Sequence, residues 1–257
     1  MIATSLALGW RLTVIGLAGV AGGAVNGIAG GGTFITFPTL LALGVPALQA
    51  NVTTTVGVVP SYLPGLRGVR ATVAAHRARL GALLAPCLLG AAAGCTLLLV
   101  FSAGSFRDVV PWLIGAATVL FAVSPVVTRL LGAVSADHPV RRRLLSVGVF
   151  VAAVYGGYFG AGMGIILFAV LALSVPLPIH ELQVLRNLLS IVINSVAALI
   201  FVVRGHLALS AVWMLLAGTL VGGWLGTVLV RRLSPTLVRV LVVAIGVATT
   251  VRLSFGG

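Results

Sequence analysis

The sequence predicts an all-α, polytopic membrane protein made of two repeated halves, and three observations predict it. Hydrophobic residues make up 60% of the 257 positions and charged residues only 7%, whereas an ordinary soluble domain carries about 25% charged residues. The apolar residues fall into runs of the length that crosses a bilayer as a helix, about 20 residues. Finally, a glycine-broken apolar segment occurs twice, at an offset of 130 residues (Gly30 to Gly160). The first copy reads Asn26-Gly27-Ile28-Ala29-Gly30-Gly31-Gly32-Thr33 and runs on to Gly44-Val45-Pro46. The second reads Gly156-Gly157-Tyr158-Phe159-Gly160-Ala161-Gly162-Met163 and runs on to Ser174-Val175-Pro176. Paired, interrupted hydrophobic segments at matching places in two halves point to a transporter's binding region.

In chain order, the first broken segment fills 12–45 and is followed by long spans near 48–66, 80–101 and 109–131. The stretch 132–143, with Ser135-Ala136-Asp137-His138-Pro139 and then Arg141-Arg142-Arg143, reads as a cytoplasmic linker. The second broken segment fills 144–176, followed by spans near 182–203, 208–230 and 235–254. The expected organisation is an N-terminal transmembrane repeat over 1–131, the linker over 132–143, and a C-terminal repeat over 144–257. Each half then has one broken segment and three long helices. The short arms 33–45 and 163–175 reach only about 20 Å at 1.5 Å per residue. They therefore read as re-entrant or discontinuous half-helices, tolerated at membrane depth only where protein or a water-filled cavity surrounds them. No cleavable leader is evident ahead of the glycine-rich span that follows Arg11.

The net charge of +13 comes entirely from arginine. These arginines sit in short stretches between apolar runs, which marks membrane orientation and argues against nucleic-acid binding. The orientation rule puts the 132–143 linker and a 67–79 loop (Arg67, Arg70, Arg77, Arg79) in the cytoplasm, and a loop with Arg107 and Asp108 outside. If the halves are inverted, Arg231, Arg232 and Arg239 are also inside, while Arg11, Arg204 and Arg252 are outside. Parallel halves satisfy the charge rule as well. The glycine breaks resemble those of inverted-repeat transporters, which favours inversion.

Glycine clusters at Gly30, Gly31, Gly32 and at Gly160, Gly162 precede the starts of short helices at Thr33 and Met163. A helix N-terminus carries unpaired N–H groups and about half a positive charge, so two such termini near mid-membrane suit an anion. The competing reading is helix packing, because Gly19, Gly23, Gly27 and Gly31 recur every four residues, as do Gly156, Gly160 and Gly164. A third row, Gly218, Gly222 and Gly226, has no polar company and reads as packing alone.

Gln183, Arg186, Asn187, Ser190 and Asn194 line one helical face. A polar stripe with an arginine belongs inside a bundle rather than in lipid, and the guanidinium fork suits two oxygens of one anion. The alternative for Arg186 is snorkelling to the interface. The first half offers a matching stripe, Asn51, Thr54, Thr55 and Ser61, after an insertion of about six residues; its hydroxyls and amides suit oxyanion oxygens or helix–helix bonds. His180-Glu181 is a candidate proton-coupling pair, but Glu181 at a helix start is better read as dipole capping. His76, Asp108, Asp137, His138 and His206 fall in loops without metal-ligand spacing, and no cofactor or catalytic motif appears, so neither an enzyme nor a metal site is expected. Cys87 and Cys95 read as small buried hydrophobes.

Over 22–46, with the echo at 152–176, the chain resembles the TauE/SafE sulfite exporter family of membrane permeases. The resemblance is carried by the Asn26-Gly27 to Gly30-Gly31-Gly32 break, the arm ending in Gly44-Val45-Pro46, and the Asn51-Thr53-Thr54-Thr55 segment. It implies a multi-pass carrier of the bacterial inner membrane that exports sulfite or an organosulfonate. The second half departs from the pattern at Gly160-Ala161-Gly162 and Asn187-Leu188-Leu189-Ser190. The expected mechanism is alternating access. The substrate-binding candidates are Asn26, Gly30, Gly31, Gly32, Thr33, Asn51, Thr54, Thr55, Gly160, Gly162, Met163, Gln183, Arg186, Asn187, Ser190 and Asn194. The rival readings are a passive anion channel and a membrane thiol-redox protein using Cys87 and Cys95.

Overall fold

A computed structural model of the protein describes residues 2–66, 69–131, 139–204, 207–229 and 235–255. Among these residues there are ten α-helices, one 3₁₀ segment and no strand. The first half comprises α1 (Ile2–Ala29), α2 (Thr33–Ala42), α3 (Ala47–Gly57), the 3₁₀ segment (Val59–Leu66), α4 (Val69–Val100) and α5 (Ala103–Leu131). The second comprises α6 (Pro139–Tyr158), α7 (Met163–Ser174), α8 (Ile179–Arg204), α9 (Leu209–Leu229) and α10 (Pro235–Phe255). Four stretches are long and apolar enough to cross a membrane: α4, α8, Ala103–Val123 of α5 and Leu209–Val228 of α9.

The glycine breaks arise from backbone that other residues avoid. Gly30 and Gly160 both adopt φ 78°, a left-handed conformation that costs a residue with a Cβ about 1–2 kcal/mol. After each turn the short helix folds back along the helix before it. Gly32 packs on Gly22 and Asn26, with Thr36 also against Gly22, and Met163 packs on Gly156 while Val170 meets Gly148. α2 ends where Gly44, at φ 82°, sends its N–H to Leu41 and Val45 sends its own to Leu40, closing the helix with glycine just past its end. The chain then re-enters helix at Pro46, as it does after Pro176 and Pro178 on the other side.

Several boundaries differ from the sequence reading. The span expected over 48–66 is two pieces, α3 and the 3₁₀ segment, because Pro60 and Pro64 remove the N–H groups a continuous α-helix needs. The first half thus has two long helices after its break, α4 and α5, rather than three. The expected 67–79 loop is helical from Val69, and α4 is kinked at His76 (φ −116°, ψ 18°), so Arg70, His76, Arg77 and Arg79 lie on a helix. Arg107 and Asp108 also lie on a helix, because Ser102 accepts the Ser105 N–H at 3.1 Å and starts α5 earlier than its apolar run. The linker is shorter than expected, with 139–143 already in α6. Asp137, His138 and His206 lie outside the described residues.

Glycine rows let helices of opposite halves touch backbone to backbone. Gly19 meets Gly218, Gly23 meets Thr219 and Gly223, and Gly222 and Gly226 meet Val20 and Ala24, so α1 runs parallel to α9. Likewise Gly90 meets Phe150, Gly94 meets Val154 and Gly157 meets Ala91, so α6 runs parallel to α4. Such close approach is how small residues hold helices together in lipid. α5 and α10 run antiparallel, with Gly115 beside Thr250 and Gly246 beside Thr118. So do the 3₁₀ segment and α8, with Tyr62 bonded by Asn194 and Gly65 beside Asn187, while Thr53 of α3 accepts from the Ala208 N–H, beyond the end of α8. Many outward side chains of the long helices are apolar, among them Leu199, Val203 and Trp213, as a lipid-facing surface requires.

Candidate functional site

α8 carries its polar stripe into the interior between the first glycine break and the 3₁₀ segment. Arg186 is 2% exposed, so its side chain is inside the bundle and does not snorkel. One guanidinium nitrogen, Nη2, donates to Asn187 Oδ1 at 2.7 Å. The other, Nη1, lies against Gly30, where an added Cβ would come within 2.8 Å of it. Nε is buried without a partner. Gly65 makes room for Asn187 in the same way, since a Cβ there would lie 2.6 Å from Nδ2. One and two turns further along α8 come Ser190, whose buried hydroxyl donates to nothing, and Asn194, which donates to the Tyr62 hydroxyl at 3.3 Å and to the Ser190 carbonyl at 2.9 Å. Asn26, at the end of α1, donates to Ser61 Oγ at 2.7 Å and so ties the break to the 3₁₀ segment.

The charge balance of this cluster is lopsided. Among the described residues Arg186 is the one buried cation, and the carboxylate Glu181 lies with His76 at 2.7 Å and His180 at 3.9 Å. Asp108 lies exposed at the start of α5. Among the described residues Arg186 therefore has no carboxylate partner, although burying an ion costs several kcal/mol unless it is paired and fully hydrogen-bonded. The cluster offers N–H and O–H groups around an unneutralised positive charge, which is the chemistry of an anion-accepting site.

The structure brings Asn26, Gly30, Arg186, Asn187, Ser190 and Asn194 into this cluster and puts other candidates elsewhere. The two breaks touch: the Gly164 Cα is 3.3 Å from a Cβ built on Gly30. Gly31 faces the Phe121 ring, and Gly162 faces Phe34 and Ala117. Gly32 is packed on Gly22 and Asn26, Gly160 on the Gly156 carbonyl, and Met163 between Gly156 and Ile193. Asn51 donates to the Tyr158 carbonyl at 2.9 Å, and Thr55 to the Asn51 carbonyl within its own helix. Thr54 is buried with a free hydroxyl; Thr33 and Gln183 are half-buried. Sequence reasoning passed over Tyr62 and Gly65. Tyr62 follows Ser61 of the first-half stripe, and a tyrosine deep in an apolar run needs a partner for its hydroxyl, which was the available signal.

A separate cleft of about 1000 Å³ opens between α2, α5 and α10. Its lining includes Thr39, Arg107, Asp108, Trp112, Thr249 and Arg252 but none of the residues around Arg186. Cys87 and Cys95 are free and buried, and Cys95 Sγ lies 3.5 Å from the Gly157 carbonyl in the α4–α6 seam. They behave as packing residues there.

The sulfite exporter TauE/SafE family model matches residues 15–253. The chain belongs to that family. It is 24% identical over 247 residues to a probable membrane transporter protein of Haemophilus influenzae, covering 95% of this chain and 94% of the relative. No solved structure matches it. As a TauE/SafE protein it is a multi-pass membrane protein of a transporter family, and the Arg186 cluster lies within the matched region.

Proposed function

We propose that this TauE/SafE protein is a secondary carrier that exports a small anion, sulfite or an organosulfonate, by alternating access, with Arg186 as the charge that holds the anion. The observation that carries the proposal is a fully buried guanidinium with a free Nε and no acidic partner among the described residues. A transported anion supplies the missing charge. Asn187, Ser190, Tyr62 and Asn194 orient its oxygens, and Gly30 lets the backbone come close.

The same proposal takes 1–131 and 144–257 as inverted repeats with re-entrant segments. Support comes from helix directions. α5 and α10 occupy the same place in their halves and run antiparallel, as do the 3₁₀ segment and α8. A two-fold axis lying in the membrane plane relates elements in that way, and an axis along the membrane normal does not. The fold-back of α2 on α1 and of α7 on α6 supports re-entrant segments. Cross-half seams (α1 with α9, α6 with α4) suit a carrier whose two bodies rock around a central site. The cleft with Arg107 and Arg252 lies at the ends of α5 and α10 assigned to the outer face, where it would serve as the exit.

The test is radiolabelled sulfite efflux from proteoliposomes with wild type, Arg186→Gln and Arg186→Lys. Saturable efflux stimulated by anion on the opposite side, at least about 100-fold slower in Arg186→Gln, is expected from the loss of a buried charge pair. Arg186→Lys keeps the charge and should retain part of the rate. Efflux that does not saturate would favour a channel, and wild-type flux in Arg186→Gln would remove Arg186 from the site.

A further inference from the structure

We infer that the cleft between α2, α5 and α10 seats an anionic phospholipid, with its phosphate at Arg107 and Arg252 and its acyl chains along the apolar wall. The cleft is separate from the anion site at Arg186, whose residues do not line it. Arg107 stands near the start of α5 and Arg252 in the last turn of α10. Because these helices run antiparallel, both guanidinium groups lie at the same end of the bundle, and both are exposed. Asp108 is also in the lining, yet among the described residues neither arginine is ion-paired. Two cations beside one carboxylate make the mouth attractive to a phosphate. Arginines at helix ends often do no more than reach for water. Here the wall behind them calls for an amphiphile.

That wall is apolar, with Ile35 and Leu41 from α2, Val110 from α5, and Ile245 and Leu253 from α10. Trp112, also in the lining, is largely exposed, in the manner of the amphipathic rings that sit at headgroup level. The volume of about 1000 Å³ lies at the upper end of pockets that take drug-sized ligands, about 300–1,000 Å³. A sulfite ion fills a small part of it and leaves apolar surface against water, which is unfavourable. A phospholipid covers the wall and the mouth together. Its acyl chains gain little, since they leave one apolar medium for another, so headgroup charge decides which lipid is held. Seated there, the lipid walls the proposed exit on its bilayer side.

The experiment is quenching of Trp112 fluorescence by brominated phospholipids in vesicles of the full-length protein, with the Trp112 share read as the difference between wild type and Trp112→Phe. Brominated phosphatidylglycerol is expected to bind about five-fold more tightly there than brominated phosphatidylcholine, the weight of one net basic side chain at a membrane surface. The double variant Arg107→Gln, Arg252→Gln changes two exposed residues and should lose that preference. Ala248→Phe narrows the cleft without changing its charge and should weaken phosphatidylglycerol binding as well. Soluble glycerol phosphate should leave the quenching unchanged. Equal quenching by the two lipids in wild type would mean ordinary contact with surrounding lipid and would overturn the inference. Relief of quenching by glycerol phosphate would also overturn it, in favour of a free phosphate site. Quenching needs no transport, so either result leaves the anion-carrier reading standing, and absence of sulfite flux leaves the lipid site standing.

Discussion

At the first break Gly30 turns at φ 78° with the Arg186 guanidinium against it; at the second, Gly160 turns at the same φ 78° with only the Gly156 carbonyl nearby. The helices that face the two breaks can be aligned residue for residue. Matching Asn51 with Asn187, an offset of 136, also matches Thr54 with Ser190 and Ala50 with Arg186. The amide and the hydroxyl occur at both sites, and both hydroxyls are buried without partners. Asn51 reaches the backbone at the second break through Tyr158, while Asn187 is held by Arg186 at the first. The charge occurs once. In the proposed repeat the scaffold and its polar lining occur twice, and a single position, alanine in one half and arginine in the other, distinguishes the proposed anion site from its counterpart.

The largest effect expected from breaking this asymmetry is at Arg186 itself. Arg186→Leu should abolish transport and at the same time leave thermal stability unchanged or higher, because an unneutralised buried charge is removed. Thermal melting in detergent beside flux in liposomes checks both halves of that statement. Loss of stability together with flux would mean the arginine is needed for folding.

Next come the two turns. Gly30→Ala and Gly160→Ala each carry the left-handed strain of about 1–2 kcal/mol. Only Gly30→Ala also drives a Cβ to 2.8 Å from Arg186 and 3.3 Å from Gly164. Flux should fall at least about ten-fold more in Gly30→Ala than in Gly160→Ala at matched protein levels. Equal losses would show that the two breaks are functionally alike.

A smaller effect is expected at Gly65→Ala, whose Cβ meets only the end of the Asn187 side chain, at 2.6 Å. Displacing that amide should raise the half-saturating anion concentration about three- to ten-fold, in line with the loss of one ordinary hydrogen bond, and leave the maximal rate nearly intact. Concentration-dependent uptake distinguishes the two parameters. The smallest effects belong to the orphan hydroxyls. Ser190→Ala and Thr54→Val both remove a buried unsatisfied group and should raise the melting temperature slightly. Of the two, Ser190→Ala alone should weaken anion affinity, because Thr54 belongs to the uncharged side.

Much of this molecule was readable along the chain, because bilayer thickness sets helix length and glycine, proline and arginine mark the breaks and ends. The short helices after Gly32 and Gly162 were expected at 33–45 and 163–175 and occur as Thr33–Ala42 and Met163–Ser174. The periodic stripe on α8 was visible for the same reason: its spacing is a local property of a helix. The early starts of α4 and α5 were missed because their first turns are polar. Arg70, His76, Arg77 and Arg79 read as loop by composition, yet they belong to a helix that extends beyond the apolar run, with His76 held at its kink by Glu181. The 3₁₀ segment was missed because an apolar run does not reveal which carbonyls lose their partners at Pro60 and Pro64.

The sequence by itself determined the membrane environment, the two glycine turns and the candidate charge. These follow from composition and from the conformational range of single residues. Tertiary structure alone decided which polar residues meet. It brought Tyr62 to Asn194, 132 positions away in the chain, and sent Asn51 to Tyr158 rather than to Arg186. It also placed Arg186 against Gly30, with no acid beside it among the described residues. Whether a buried charge is neutralised depends on every element packed around it, and that is a property of the assembled bundle, which no local pattern carries.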